Sequence, residues 1–190
     1  MRSIILHPLV NIALLNVGWF AAVGGAAIGW PLLGPAFTLA WLGLHLRALG
    51  SGWRREAKFF AAAGTLGFLL DSCLVLGGAF AFPSQAQLGF PSTIWMVALW
   101  LNFAAGMLHG FRFILARPGL AAALGAVGGP LAYWGGVQLG AVVPAHALAF
   151  TLAVAVEWIL APVLLIDIIR RIDTSAGSAR GRAWAEEGGT

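Results

Sequence analysis

Charge is what this chain has least of. Only 9% of its 190 residues are Asp, Glu, Lys or Arg, against about 25% in a soluble globular domain. A water-soluble fold is excluded on that ground, because 60% of the residues are hydrophobic and a chain of this length has no core large enough to hide them. It has one cysteine, Cys73, inside an apolar run, so a disulfide framework and a cysteine zinc site are both ruled out. Established enzyme signatures are absent: there is no GxSxG, no HExxH, no P-loop and no glycine fingerprint after a strand. The net charge of +4 does not imply nucleic acid as a partner. The basic residues fall only in short segments between or after apolar runs, not in a patch interleaved with groups that read bases.

What is present is hydrocarbon, with a mean hydropathy of +0.88. About 20 mostly apolar residues form one helical crossing of a bilayer, and six segments meet that measure, near 9–29, 32–49, 59–80, 93–113, 119–139 and 148–169. The runs are apolar all round, without the alternation of a membrane barrel, so the expectation is an all-α integral membrane bundle of about six transmembrane helices. The first run follows MRSIILHP and ends in small residues as a signal peptide does, but five further spans favour its retention. Residues 1–172 read as a single helical domain. The Gly/Ser/Ala-rich stretch 173–190 reads as a disordered cytoplasmic tail.

Orientation follows from the basic residues. Arg2, Arg47, Arg54, Arg55, Lys58, Arg112, Arg117, Arg170, Arg171, Arg180 and Arg182 all fall on one side of the six-span arrangement. The opposite connections, at 30–31, 81–92 and 140–147, hold none. Positive charge stays cytoplasmic during insertion, so both termini are expected inside, in a bacterial inner membrane. Small residues recur four apart at Ala21, Gly25 and Gly29 and at Ala121, Gly125 and Gly129. Such ladders admit close helix approach in lipid, and Gly25, Gly125 and Gly129 are the faces expected to meet a partner helix or a second copy. AVGG followed by four residues and Trp occurs at both 22–30 and 126–134; no longer self-similarity supports a repeat.

Ionisable residues inside a span cost about 2.5–3.5 kcal/mol on insertion scales and mark function by default. Asp71 and Glu157 fall deep in the third and sixth spans, with Asn16, Asn102 and Tyr133 at similar depth. His45, His109 and Arg112 form a second layer nearer the cytoplasm. The two layers suggest a polar cavity open to the cytoplasm, basic at its mouth and acidic deeper in. In an enzymatic reading His109 is the acid/base and Asp71 or Glu157 the second carboxylic group. His45, Arg112, Asn102, Asn16 and Tyr133 then hold the substrate, with Arg112 on a phosphate or carboxylate head. Plainer roles stand beside these: Asn16 joins helices by hydrogen bonds, His45 and Arg112 snorkel to the interface, His109 caps a helix end, and the carboxyls are protonated and structural. The histidines lack the paired spacing of a metal site, and no metal or cofactor is assigned.

The stretches NVGWFAAVGGAAIGW, LLDSCLVLGGAF, LWLNFAAGMLHGFRF and GAVGGPLAYWGGVQLG resemble an uncharacterised family of small proteobacterial inner-membrane proteins, a domain of unknown function. The resemblance runs from about Asn11 to the end of the sixth span. Asp71, Asn102, His109, Gly129, Pro130, Tyr133 and Trp134 lie in its motifs. It implies a multi-pass protein with no established activity. The neighbourhood of such genes, beside fatty-acid-modifying enzymes of the cyclopropane-synthase type, points to lipid chemistry. The expectation is therefore a lipid- or fatty-acyl-associated factor, enzyme or accessory, with membrane lipids as its partners. The alternatives are an assembly subunit of a membrane complex and a small proton-coupled transporter.

Overall fold

A computed structural model describes residues 2–187. The described residues are all-α apart from one two-residue ladder. A one-turn α1 (Arg2–Ile5) precedes α2 (Pro8–Ala27), α3 (Leu33–Leu49), α4 (Trp53–Leu76), α5 (Ile94–His109), α6 (Pro118–Leu139) and α7 (Ala147–Glu187). The ladder pairs β1 (Phe80–Ala81) with β2 (Val143–Pro144), antiparallel, Phe80 opposite Pro144. It joins two connections that the sequence leaves as loops.

Local chemistry sets the ends. Pro8 opens α2 behind His7, whose Nδ1 accepts the Leu9 amide, and Pro118 opens α6, the position where a missing N–H is harmless. Gly140 closes α6 at φ 84°, a left-handed residue that satisfies the last carbonyls. Pro130 and Pro162 lie within α6 and α7, which continue through them.

Among the described residues four helical stretches are long and apolar enough to cross a membrane: Pro8–Ala27, Leu33–Leu76, Pro118–Leu139 and Ala147–Ser175. Six separate long spans are not found among the described residues. Leu33–Leu76 carries two of the expected spans, and Gly50, at φ 63°, stands where α3 ends. His45 and Glu56, eleven residues apart, are hydrogen-bonded at 2.8 Å, so the chain folds back there. The fourth expected span shortens to α5, 16 residues or about 24 Å of rise. It stops because Gly110 and Phe111 both turn their amides onto the Gly106 carbonyl, and the remaining residues form the 3₁₀ turn Arg112–Ala116. α7 runs on through the segment expected as a tail; residues 188–190 lie outside the described residues.

The outer faces are apolar: Leu9, Phe20, Ile28, Leu39, Leu69 and Leu131 are each more than half exposed, a surface that lipid solvates and water does not. The interior has two clusters. One, around Trp41, Phe59, Phe60, Trp100, Met107 and Leu165, sits toward the end where the basic residues gather. The other, around Phe80, Phe82, Trp95, Tyr133 and Phe150, lies under the β ladder.

At the basic end Arg170 donates to the Leu115 carbonyl at 3.0 Å. Arg55 grips Asp173 with two bonds, 2.5 and 2.8 Å, tying α4 to α7. Both side chains of that pair are over two-fifths exposed, and solvent-exposed ion pairs contribute about 0.2–1 kcal/mol. Asp173→Ala should therefore lower the melting temperature by less than about 3 °C, read by thermal unfolding in micelles. A larger drop would mean that this junction holds the bundle closed.

Candidate functional site

Two polar clusters stand inside the bundle. The deeper one is built on Asp71, which is fully buried on the α4 stripe Phe60, Gly64, Gly67, Asp71, at intervals of three or four residues. Its carboxylate accepts two hydrogen bonds: Trp100 donates Nε1–H at 2.8 Å, and the Tyr133 hydroxyl donates to the other oxygen. The close packing is made by glycines. A Cβ on Gly67 would strike the Trp100 ring, and one on Gly129 would strike Trp158. The two indoles stack on each other with centroids 5.0 Å apart and planes at 15°. A pair of stacked tryptophans is thus flanked by glycines of α4 and α6, and this sets the Trp100 N–H on Asp71. Glu157 adjoins the group, with Asp71 and Tyr133 as its electrostatic neighbours. Its carboxyl oxygens are buried and make no hydrogen bond, an arrangement that costs about 1–3 kcal/mol.

Beside this cluster lies a cavity of about 390 Å³ among α2, α5, α6 and α7. Its lining is apolar and aromatic, including Trp19, Met96, Leu99, Phe103 and Trp158. Tyr133 and Trp100 both line it, so Asp71 stands one side chain behind the wall. Asn16, Leu124 and Gly128 also line it while being exposed, which marks the mouth. These residues lie midway along α2 and α6. The expected cavity was polar and open to the cytoplasm; the one described has a mainly apolar lining with its mouth at mid-helix, because the Asp71 carboxylate is turned behind the wall onto Tyr133 and Trp100.

The second cluster joins three helix ends. His45, in the last turns of α3, is wholly buried and sets Nε2 2.8 Å from Glu56 Oε2. His109, the last residue of α5, sets its own Nε2 3.0 Å from both Glu56 oxygens. Glu56 comes from the first turn of α4 and is buried. Trp41 and Phe60 enclose the His45 ring, with centroids at 5.1 and 5.9 Å.

The candidate residues are therefore divided. Asp71, Tyr133 and Glu157 come together, and so do His45 and His109. The two groups are separate: His109 is nine residues beyond Trp100 on α5, about 13 Å of rise. Asn102 ties α5 to α2 through the Leu15 carbonyl at 3.0 Å, against Gly18. Asn16 donates to the Ile12 carbonyl of its own helix, and Arg112 is exposed in the 3₁₀ turn. Gly125 and Gly129 face Trp158 of α7, and Gly25 faces Trp30 and Leu33.

Sequence reading missed Glu56 and Trp100. Glu56 has a legible signal: it shares the apolar stripe of Phe59, Phe60 and Ala63, whereas Arg54, Arg55 and Lys58 fall on the exposed faces. Trp100 has none, since an indole on an apolar helix is usually packing alone.

Residues 8–164 match the model of a family described as Protein of unknown function (DUF2878). The match covers most of the chain, and the chain belongs to this family. No curated protein and no solved structure matches it.

Proposed function

We propose that this member of a family without an assigned function is a multi-pass membrane protein that takes a lipid acyl chain into the cavity between α2, α5, α6 and α7. The observation that carries the reading is the position of the mouth. Asn16 and Gly128 lie at mid-helix, a depth at which a spanning helix is surrounded by hydrocarbon rather than water. What enters there comes from the acyl phase. The volume falls within the range of small-ligand pockets, and the lining is mainly apolar with a few polar groups, as such sites are. Tyr133, hydrogen-bonded to Asp71, is the group that meets a reactive or polar point on the chain, and Asp71 sets the orientation of its hydroxyl. The protein then acts on acyl lipids or presents them to an enzyme that does.

In this reading α3 and α4 cross separately, the short α5 crosses in the interior of the bundle, and the basic connections and both termini face the cytoplasm of a bacterial cell.

Gly128 supplies the test. A Cβ there meets nothing within 4 Å, so Gly128→Phe can set a ring across the cavity mouth, and circular dichroism checks that the helices are kept. In nanodiscs containing a photoactivatable diazirine fatty acid, wild-type protein should be labelled on cavity-lining peptides of α5 and α6. Gly128→Phe should lose at least about tenfold of that labelling, equivalent to about 1.4 kcal/mol. Gly24, which also has open space around it but lies outside the cavity, is the control and should label as wild type. Equal labelling of wild type and Gly128→Phe would sink the reading.

A further inference from the structure

We propose that His45, Glu56 and His109 form a binding site for one divalent transition-metal ion. Their donor atoms, one from each residue, all lie within 4.8 Å of one another. Metal–ligand bonds of about 2.0–2.2 Å to His nitrogen and carboxylate oxygen place donors roughly 3–4 Å apart, so the observed spacings of 2.8 and 3.0 Å need only slight spreading. Both imidazoles present the same nitrogen, Nε2, to one carboxylate. Two rings converging on a single acceptor are arranged as ligands of a common ion. Two nitrogens and one carboxylate form the donor set of open three-ligand zinc sites and of facial iron(II) sites, which leave positions for water or substrate.

The surroundings favour a cation. α3 and α5 both end close to this point, and helix C-termini carry partial negative charge. Glu56 sits in the first turn of α4, where the opposite end of the dipole favours a carboxylate. Trp41 and Phe60 hold the His45 ring in an apolar wall, which limits competing water. The His109 side chain is 17% exposed, so an ion can reach the site from that side. The three ligands come from three helices, and the ion would tie their ends together more strongly than the hydrogen bonds to Glu56 do. The site stands apart from the acyl cavity, and the proposal does not depend on that reading.

Cobalt(II) alone is the probe. Full-length protein in detergent micelles is stripped with chelator and titrated with Co²⁺. One equivalent per chain should bind with visible d–d bands of a low-coordinate nitrogen–oxygen site, and Zn²⁺ should abolish those bands. The ion should also raise the melting temperature. Glu56→Gln and His109→Ala should each weaken binding more than about 100-fold, beyond the loss that outer-shell partners alone produce, while His146→Ala, at an exposed histidine, should bind as wild type. Should a site variant fail to fold by circular dichroism, the wild-type spectrum decides. Wild-type protein that takes up no cobalt with such bands overturns the proposal. So does cobalt binding that survives Glu56→Gln and His109→Ala in folded protein.

Discussion

Trp100→Ala is expected to be among the most destabilising single substitutions in this chain, by about 3 kcal/mol or more. Truncating a buried aromatic typically costs about 3–5 kcal/mol. In a bilayer the transfer part of that cost shrinks, because lipid is as apolar as the bundle interior, and the loss of packing remains. Trp100 is 2% exposed, stacks on Trp158 and fills the space that Gly67 leaves open. Its removal also takes one of two hydrogen-bond donors from the buried Asp71, a further penalty of about 1–3 kcal/mol. Trp100→Phe separates the two contributions, since it keeps a ring against Trp158 and deletes only the N–H. Unfolding in mixed detergent micelles should place Trp100→Phe between wild type and Trp100→Ala. If Trp100→Phe matches wild type within about 0.5 kcal/mol, the bond to Asp71 contributes nothing and the tryptophan is packing alone.

Gly125→Leu and Gly128→Leu should differ sharply although they lie three residues apart on α6. A Cβ on Gly125 would fall on the carbonyl of Trp158, which is backbone and cannot turn aside. To admit it, α7 must move away from α6 along their contact. Overpacking in a filled core costs about 1–3 kcal/mol and sometimes more, and a contact with backbone belongs at the upper end. Gly128 faces open space, and leucine ranks just below alanine as a helix former whereas glycine is worse than alanine by roughly 0.8–1 kcal/mol, so Gly128→Leu should be neutral or slightly stabilising. Folded yield and melting temperature of the two variants decide it. Equal losses would mean that leucine is excluded by helix requirements common to both positions, not by contact with α7.

Much of the architecture is legible without coordinates. The scarcity of charge forces apolar outer faces, and a backbone surrounded by hydrocarbon satisfies its own polar groups only as helices or closed barrels. Continuous apolar runs then select helices. Two of the basic segments meet the last helix: Arg55, after the α3–α4 connection, bonds Asp173, and Arg170 bonds the Leu115 carbonyl of the α5–α6 connection. What was misjudged is length: an apolar run counted as a span continues past Gly110, yet the helix ends there, because hydropathy does not register where amides turn back on Gly106.

The site was partly legible. The cost of burying ionisable groups singles out Asp71, Glu157, His45 and His109 from the chain alone, whatever their neighbours. Which of them meet is settled by helix order in space, and span order does not encode that. Asp71 reaches Tyr133 across 62 positions of sequence and His109 reaches Glu56 across 53, distances over which no spacing pattern carries information. Glu56 sits among arginines in the sequence, and although helical spacing puts it on the stripe of Phe59, Phe60 and Ala63, only the fold shows that His45 and His109 are what it meets. The sequence by itself determined the solvent, the helical class and the identity of the costly buried groups, because those follow from composition and local periodicity. The tertiary structure alone decided that the costly groups divide into a carboxylate–tyrosine wall beside an apolar cavity and a histidine–glutamate cluster at three helix ends: Gly67 and Gly129 admit the stacked Trp100 and Trp158 beside Asp71, and the fold-back between α3 and α4 brings His45 onto Glu56.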